Sequence, residues 1–167
     1  MIKLILKIGI LYLIVAAVLR SCGFSPVSSK MVDQLAPDFA LESLSGEIAN
    51  LAQLRDGKPC IIFFWATWCP HCHRQLNVLA QEQDVMNGYG AKLIIVNVGE
   101  SREEVRRYVS SNNIPFEVFL DETEEVSRDY KVMGIPSFFF IDREGIIVDV
   151  KNFLPKQYDK ILGGFAS

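Results

Sequence analysis

The chain has 167 residues, 50% of them apolar, and a formal net charge of −3 at pH 7. This length and composition are enough for one hydrophobic core of ordinary domain size. The mixed, mildly acidic charge pattern has no basic stripe and argues against a nucleic-acid partner. The four cysteines, one close pair and two single residues, are too few for a disulfide scaffold and indicate chemistry at the pair.

Residues 1–21 are predicted to be a signal peptide or a membrane anchor. Lys3 and Lys7 precede an uncharged apolar run that ends at Leu19, which is the order of regions in an export signal. The uninterrupted run is shorter than the roughly 17–25 residues that span a bilayer comfortably. Cleavage and retention as an anchor therefore both remain open.

Cys22 offers a second route to the membrane. It lies in Leu19–Gly23, a segment that resembles the lipidation signal of bacterial lipoproteins, although Arg20 departs from that pattern. The three forms that remain open are a lipoprotein, an uncleaved anchor and a released protein. Residues 25–30 are rich in serine, and residues 22–34 are expected to form a flexible linker. The remaining residues, 35–167, are predicted to form one domain.

The domain is predicted to begin with a small hairpin. Residues 36–41 alternate between polar and apolar, turn near Ser45–Gly46 and return through Ile48. A short helix over 51–55 follows, and Asp56–Gly57 ends it.

A continuous apolar run over 61–65 predicts a strand buried on both faces, with Cys60 as a small buried residue at its start. Apolar residues at helical spacing follow the cysteine pair, so Cys69 is expected at a helix N-terminus, with Pro70 in the first turn. The unpaired N–H groups and the dipole of that helix would stabilise a thiolate. Cys69 is therefore predicted to be the attacking sulfur and Cys72 its resolving partner.

Three other interpretations of the cysteine segment are weaker. The C-x-x-C-H pattern also fits covalent haem attachment, which does not need an apolar strand leading to the first cysteine. Zinc ligation by Cys69, Cys72, His71 and His73 lacks a second ligand pair downstream. A peroxidatic cysteine would be preceded by proline at the position of Ile62. A redox dithiol that requires no metal and no cofactor is thus preferred.

The segment Trp65–Arg74, W-A-T-W-C-P-H-C-H-R, resembles the active site of the thioredoxin superfamily. From about residue 36 onward, the chain is similar to the extracytoplasmic TlpA/ResA-type branch. The resemblance implies an α/β, thioredoxin-like fold, in which a central mixed β-sheet is flanked by helices and extended by an N-terminal β-hairpin. It also implies substrate-binding roles for Trp68, Pro70 and Ile135.

Glu100 closes the turn between a predicted strand and the helix that Ser101 is predicted to cap. It resembles an active-site glutamate of ResA-type reductases. Thioredoxins carry a buried aspartate six residues before the first cysteine, where this chain has Phe63. A partly buried carboxylate near the inner thiol could accept its proton. The alternative is that Glu100 only stabilises the following helix through its dipole.

Asp121 and Glu124 are predicted to be the N-cap and the capping-box partner of a helix that ends near Tyr130. The other predicted elements are strands over 93–96 and 116–120, a hairpin over 138–150 and a closing helix over 155–162.

Gly134–Ser137 resembles the loop that holds a cis proline opposite the disulfide in thioredoxin-like proteins, which implies a cis Pro136 at the active site. His71 lies between the cysteines, where a partly protonated imidazole would favour the thiolate. His73 is expected to be an ordinary surface residue of the helix.

The resemblance implies a thiol–disulfide oxidoreductase tethered to the periplasmic, extracytoplasmic face of a bacterial membrane. Cys69 would form a mixed disulfide with a protein substrate such as apocytochrome c, and Cys72 would resolve it. A membrane-embedded thiol electron donor would regenerate the dithiol. Two alternatives stay open: a thiol oxidase, because C-P-H-C also resembles the strongly oxidising DsbA type, and a redox-inert binding or haem-carrying module.

Overall fold

The structure, a computed structural model, describes residues 30–162. Seven strands form one sheet in the order β2-β1-β5-β4-β3-β6-β7. The strands are β1 (Ala40–Ser43), β2 (Ile48–Asn50), β3 (Cys60–Trp65), β4 (Lys92–Val98), β5 (Val118–Asp121), β6 (Ser137–Ile141) and β7 (Ile147–Lys151). The helices are α1 (Leu51–Arg55), α2 (Pro70–Gly88), α3 (Arg102–Asn112), α4 (Glu125–Asp129) and α5 (Tyr158–Ile161).

The centre of the sheet is β3, in which all six residues are buried. It pairs in parallel with β4 and antiparallel with β6. Alternate side chains enter the two separate apolar clusters, with Phe63 and Trp65 on one face and Ile62 and Phe64 on the other. Burying a side chain of this size contributes about 1.5–3 kcal/mol, which explains why an uninterrupted apolar run takes this position.

Helices cover both faces of the sheet. Residues of α2, α3 and α5 belong to the cluster that contains Phe63, whereas residues of α1 and α4 belong to the cluster that contains Ile62. The result is a mixed sheet between two helical layers, so the expected α/β, thioredoxin-like class is confirmed.

The N-terminal hairpin extends the sheet beyond β5. Leu41 pairs with Ala49 across β1 and β2, and Glu42 of β1 pairs antiparallel with Leu120 of β5. The tight turn includes Gly46 at φ +95°, a conformation that favours glycine. The predicted hairpin is therefore present and continuous with the main sheet.

The packed region includes residues that the sequence assigned to the linker. Met31 is buried in the core, and the Asp33 N–H donates to the carbonyl of Ile147 at 2.8 Å. Residues 31–34 of the predicted linker thus belong to the folded domain, because Met31 fills the core and the backbones of Asp33 and Gln34 pair with Ile147 of β7. Residues 1–29 lie outside the described residues, so the signal or anchor, most of the linker and Cys22 stay predictions. Within residues 30–162, no helix is long and apolar enough to cross a membrane.

The expected capping box at Asp121 and Glu124 is wrong. Asp121 is the buried last residue of β5, and its carboxylate accepts hydrogen bonds from the backbone N–H groups of Val126 and Ser127 at 3.2 and 2.7 Å. Glu124 is the N-cap of α4, in the left-handed conformation and without a side-chain capping bond. The buried carboxylate of Asp121 thus caps the N-terminus of α4 from the end of the preceding strand.

Candidate active site

The cysteine pair lies where β3 gives way to α2. Cys69 is the N-cap of α2, Pro70 is its first residue, and the backbone N–H of Cys72 donates to Cys69 Sγ at 3.1 Å. The sulfurs of Cys69 and Cys72 are bonded to each other, with 5.2 Å between the Cα atoms. The structure therefore brings together the pair that the sequence predicted as a redox dithiol.

The two sulfurs have different surroundings. Cys69 is 4% exposed, whereas Cys72 is fully buried. Donation from a helix N-terminal N–H and alignment with the helix dipole both favour negative charge on the Cys69 sulfur. This asymmetry supports attack by Cys69 and resolution by Cys72.

The loop before β6 lies against the disulfide. The Ile135–Pro136 peptide bond is cis, as the resemblance implied, and the Ile135 carbonyl oxygen lies 3.9 Å from Cys69 Sγ. Two hydrogen bonds hold this loop in place: Ser137 Oγ donates to the carbonyl of Gly134 at 2.7 Å, and Asn152 Nδ2 donates to that of Pro136 at 2.9 Å.

Glu100 connects the ends of two parallel strands. Its carboxylate accepts hydrogen bonds from the backbone N–H of Thr67 at 2.7 Å, from the Thr67 hydroxyl, and from Asn97 Nδ2 at 2.8 Å. Thr67 lies in the loop that leads into Cys69. The helix-stabilising role falls instead to Ser101 and Glu104, which form the capping box of α3. The Glu100 carboxylate is therefore directed at the active-site loop.

Phe63 excludes an acid from the position that thioredoxins use. Its side chain is fully buried and stacks on Phe138 with 4.5 Å between the ring centroids. A carboxylate there would be desolvated among aromatic rings without a partner. Phe63 thus offers no proton acceptor, and the carboxylate that is hydrogen-bonded to the active-site loop is that of Glu100.

His73 is not the ordinary surface residue that the sequence suggested. It is half-buried, its Nε2 lies 2.6 Å from the carbonyl oxygen of Thr67, and its ring packs 4.9 Å from that of Tyr108. Since a carbonyl only accepts, Nε2 is the donor. His73 thus binds the backbone carbonyl of Thr67, and Glu100 binds its backbone N–H. In the sequence, His73 lies one helical turn after Cys69. That spacing places His73 near the active site but does not reveal its contact with Thr67.

His71 is exposed, and its Nδ1 accepts a hydrogen bond from Arg74 Nη2 at 2.7 Å. A guanidinium only donates, so Nδ1 is the acceptor of this bond. Arg74, which the sequence did not single out, thus places a guanidinium on the imidazole that lies between the two cysteines. Zinc ligation would require both histidines to converge on the cysteines, but His71 and His73 bind Arg74 and Thr67 instead.

Two grooves flank the disulfide and share Ile135. The first has a volume of about 470 Å³ and includes Trp68 and Met133, whose side chains are 68% and 71% exposed. The second, of about 480 Å³, includes Arg74 and Phe153. Of the predicted substrate-binding residues, Trp68 and Ile135 line the first groove, whereas Pro70 is exposed at the start of α2 and lines neither.

Cys60 is a structural residue, as expected. It is fully buried and makes no disulfide within the described part of the chain. Burial raises the pKa of its thiol to about 12, against the opposing effect of the Arg55 charge. Cys60 is therefore a protonated, inert thiol at neutral pH.

Known proteins share both the sequence pattern and the fold. Residues 32–150 match the AhpC/TSA family. The thiol-disulfide oxidoreductase ResA of Bacillus subtilis (strain 168) is 31% identical over 151 residues, which cover 89% of this chain and 84% of that protein.

Two solved structures extend the comparison. A thiol:disulfide interchange protein of the thioredoxin family from Chlorobium tepidum has a TM-score of 0.66 and 28% identity, covering 78% of this chain and 94% of its own. A secreted Mycobacterium tuberculosis disulfide oxidoreductase, homologous to DsbE of E. coli, has a TM-score of 0.61 and 25% identity, covering 76% and 93%.

The different surroundings of the two sulfurs predict an order of alkylation. In the reduced protein near pH 7, iodoacetamide should label Cys69 about tenfold faster than Cys72, because a helix N-terminus stabilises the reacting thiolate. Cys60 should be labelled last because its thiol stays protonated. Peptide mass mapping over time measures the order, and the urea-unfolded protein, in which all sites are open, is the control. Faster labelling of Cys72 would reverse the assigned roles.

The hydrogen bonds of Glu100 predict the behaviour of Glu100→Gln. An amide cannot take up a proton from the inner thiol, so exchange with a disulfide peptide should slow by about 100-fold and its pH dependence should change. The amide oxygen can still accept from Thr67, so the protein should stay folded by circular dichroism. Glu103→Gln, on the exposed side of α3, is the matched control. An unchanged pH–rate curve in Glu100→Gln would leave Glu100 with a structural role only.

Proposed function

Because the chain belongs to the AhpC/TSA family, we propose that it reduces disulfide bonds of proteins outside the cytoplasm through the Cys69/Cys72 dithiol. It is a thiol–disulfide oxidoreductase, as its relatives of the ResA and DsbE type are. The observation that carries the proposal is the Cys69–Cys72 disulfide at a helix N-terminus, faced by the cis-proline loop.

The reaction transfers two electrons from the dithiol to the substrate. The Cys69 thiolate attacks one sulfur of the substrate disulfide, the substrate S–S bond breaks, and one substrate thiolate leaves. Cys72 then loses its proton and attacks Cys69 Sγ, which breaks the mixed disulfide and releases the second substrate thiolate. We assign the Cys72 proton to Glu100. The product is the Cys69–Cys72 disulfide, and an external dithiol donor of the membrane returns the electrons.

The proposed location outside the cytoplasm rests on the N-terminal sequence. Lys3 and Lys7 precede the apolar run, which is the charge order that directs the following chain outward. The similar protein of M. tuberculosis is a secreted one. Apocytochrome c, whose haem-site thiols can be over-oxidised to a disulfide, is the proposed substrate class.

A thiol oxidase is the second candidate, and a specific observation favours it. The Arg74 guanidinium donates a hydrogen bond to His71, which lies between the two cysteines of the C-P-H-C turn. A cation there stabilises the Cys69 thiolate and with it the reduced form, which makes the disulfide more oxidising. The direction of electron flow separates the two functions.

Electron flow can be followed with a peptide that contains a C-x-x-C-H disulfide. The reduced protein should convert this peptide to the dithiol, and Cys72→Ser should stop at a mixed disulfide on Cys69, because the resolving thiol is missing. Alkylation and mass analysis identify both products, and Cys60→Ala is a control expected to retain activity. If the oxidised protein instead converted the dithiol peptide to its disulfide, the oxidase would replace the reductase.

The full-length protein should fractionate with bacterial membranes, because each of the tethered forms keeps an apolar group at the N-terminus. Intact mass then separates the forms. A diacylglycerol-modified Cys22 identifies the lipoprotein, which Cys22→Ser should prevent, whereas a retained Met1 identifies the uncleaved anchor. Recovery of the protein in the soluble fraction, with residues 1–21 removed and Cys22 unmodified, would contradict tethering.

A further inference from the structure

The first groove beside the disulfide has the character of a side-chain binding site. We propose that it binds a lysine or arginine of the substrate polypeptide close to the reacting cysteine, and that Glu124 recognises the positive charge. The inference rests on the proposed function in one respect, namely that the substrate is a polypeptide.

The groove has apolar walls that remain open to solvent. Trp68 and Met133 are among the most exposed large apolar side chains of residues 30–162, and Val132 and Ile135 add further apolar surface. The Ile135 carbonyl oxygen is 3.9 Å from Cys69 Sγ. A polypeptide whose cysteine is bonded to Cys69 would therefore hold its neighbouring side chains within reach of this groove.

Glu124 is the only charged residue among the described residues that line the groove. Its carboxylate has no hydrogen bond or ion pair within residues 30–162, in contrast to Glu100, which binds Thr67 and Asn97. Its backbone has φ +59°, a conformation that costs energy for residues other than glycine and often marks functional positions. The chain thus holds an unpaired carboxylate at an apolar groove.

Gly99 makes room for that carboxylate. It has φ +71°, and a Cβ built on it would lie 2.6 Å from Glu124 Oε1. Any other residue at position 99 would push the Glu124 carboxylate away. The close approach of Gly99 and Glu124 therefore defines one wall of the groove.

Apolar walls and one carboxylate match a side chain with an apolar stem and a cationic tip. The methylene groups of lysine or arginine can pack along Met133 while the charge reaches Glu124. An exposed tryptophan such as Trp68 can add a cation–π contact. The second groove, on the other side of Ile135, carries His71 and Arg74, so the two grooves differ in charge.

The test uses the reduced Cys72→Ser protein and short peptides whose single cysteine is bonded to thionitrobenzoate. Attack by Cys69 releases the coloured thiolate, so absorbance gives the half-saturation concentration and the limiting rate. Lysine, norleucine or glutamate is placed in turn at each of the two positions before and after the cysteine. At one position, lysine should lower the half-saturation concentration about threefold to tenfold relative to norleucine. The limiting rate should stay the same.

Variants of Glu124 assign the preference to its carboxylate. Glu124→Gln should remove the lysine preference, Glu124→Lys should reverse it in favour of glutamate, and Glu125→Gln, which removes the neighbouring charge, should keep it. The inference is overturned if no position prefers lysine, or if Glu124→Gln prefers it as strongly as the unchanged protein does. Because the assay follows only the attack of Cys69, its result does not depend on whether the protein acts as a reductase or an oxidase.

Discussion

The burial of β3 on both faces is the constraint on which the rest of the structure depends. A strand that is buried on both faces must be covered by other elements on each side. The chain therefore reaches the surface only where this strand ends. That end is Trp65, and α2 begins at Pro70, so Cys69 lies in the short turn between a buried strand and a helix N-terminus. The same position leaves Cys69 slightly exposed and Cys72 fully buried, and the rate of thiol–disulfide exchange depends on such access to the attacking sulfur.

Two adjacent strand ends build the site around this turn. The strand β3 carries Phe63, an aromatic residue packed on Phe138, and no acidic side chain. The carboxylate bound to the active-site loop is that of Glu100, which follows β4. Parallel pairing brings Trp65 beside Asn97, so the loop after one strand can bind the turn after the other. Glu100 binds the backbone N–H of Thr67 and His73 binds its backbone carbonyl, and this positions the chain immediately before the attacking sulfur.

Features set by local pattern could be predicted from the sequence. The helix over 51–55, the Ser101 cap and the double burial of β3 follow from turn residues, capping residues and apolar periodicity. The contacts of Asp121, His73 and Glu124 could not be predicted in this way. Each depends on a backbone path or on a partner in another element, which residue spacing does not contain. The cis Pro136 was predicted only through family resemblance, because proline before a strand is trans by default.

The central claim is that Cys69 and Cys72 form a reducing couple, despite the Arg74 charge that binds His71 between them. The reduction potential of this couple, measured by equilibration with glutathione buffers and alkylation of the dithiol, tests that claim most directly. For a two-electron couple, about 30 mV corresponds to about 1.4 kcal/mol. The reduction potential therefore reports even a small stabilisation of the Cys69 thiolate. The account predicts a value near the roughly −270 mV of thioredoxin. A value near the roughly −120 mV of a strong oxidase would contradict it.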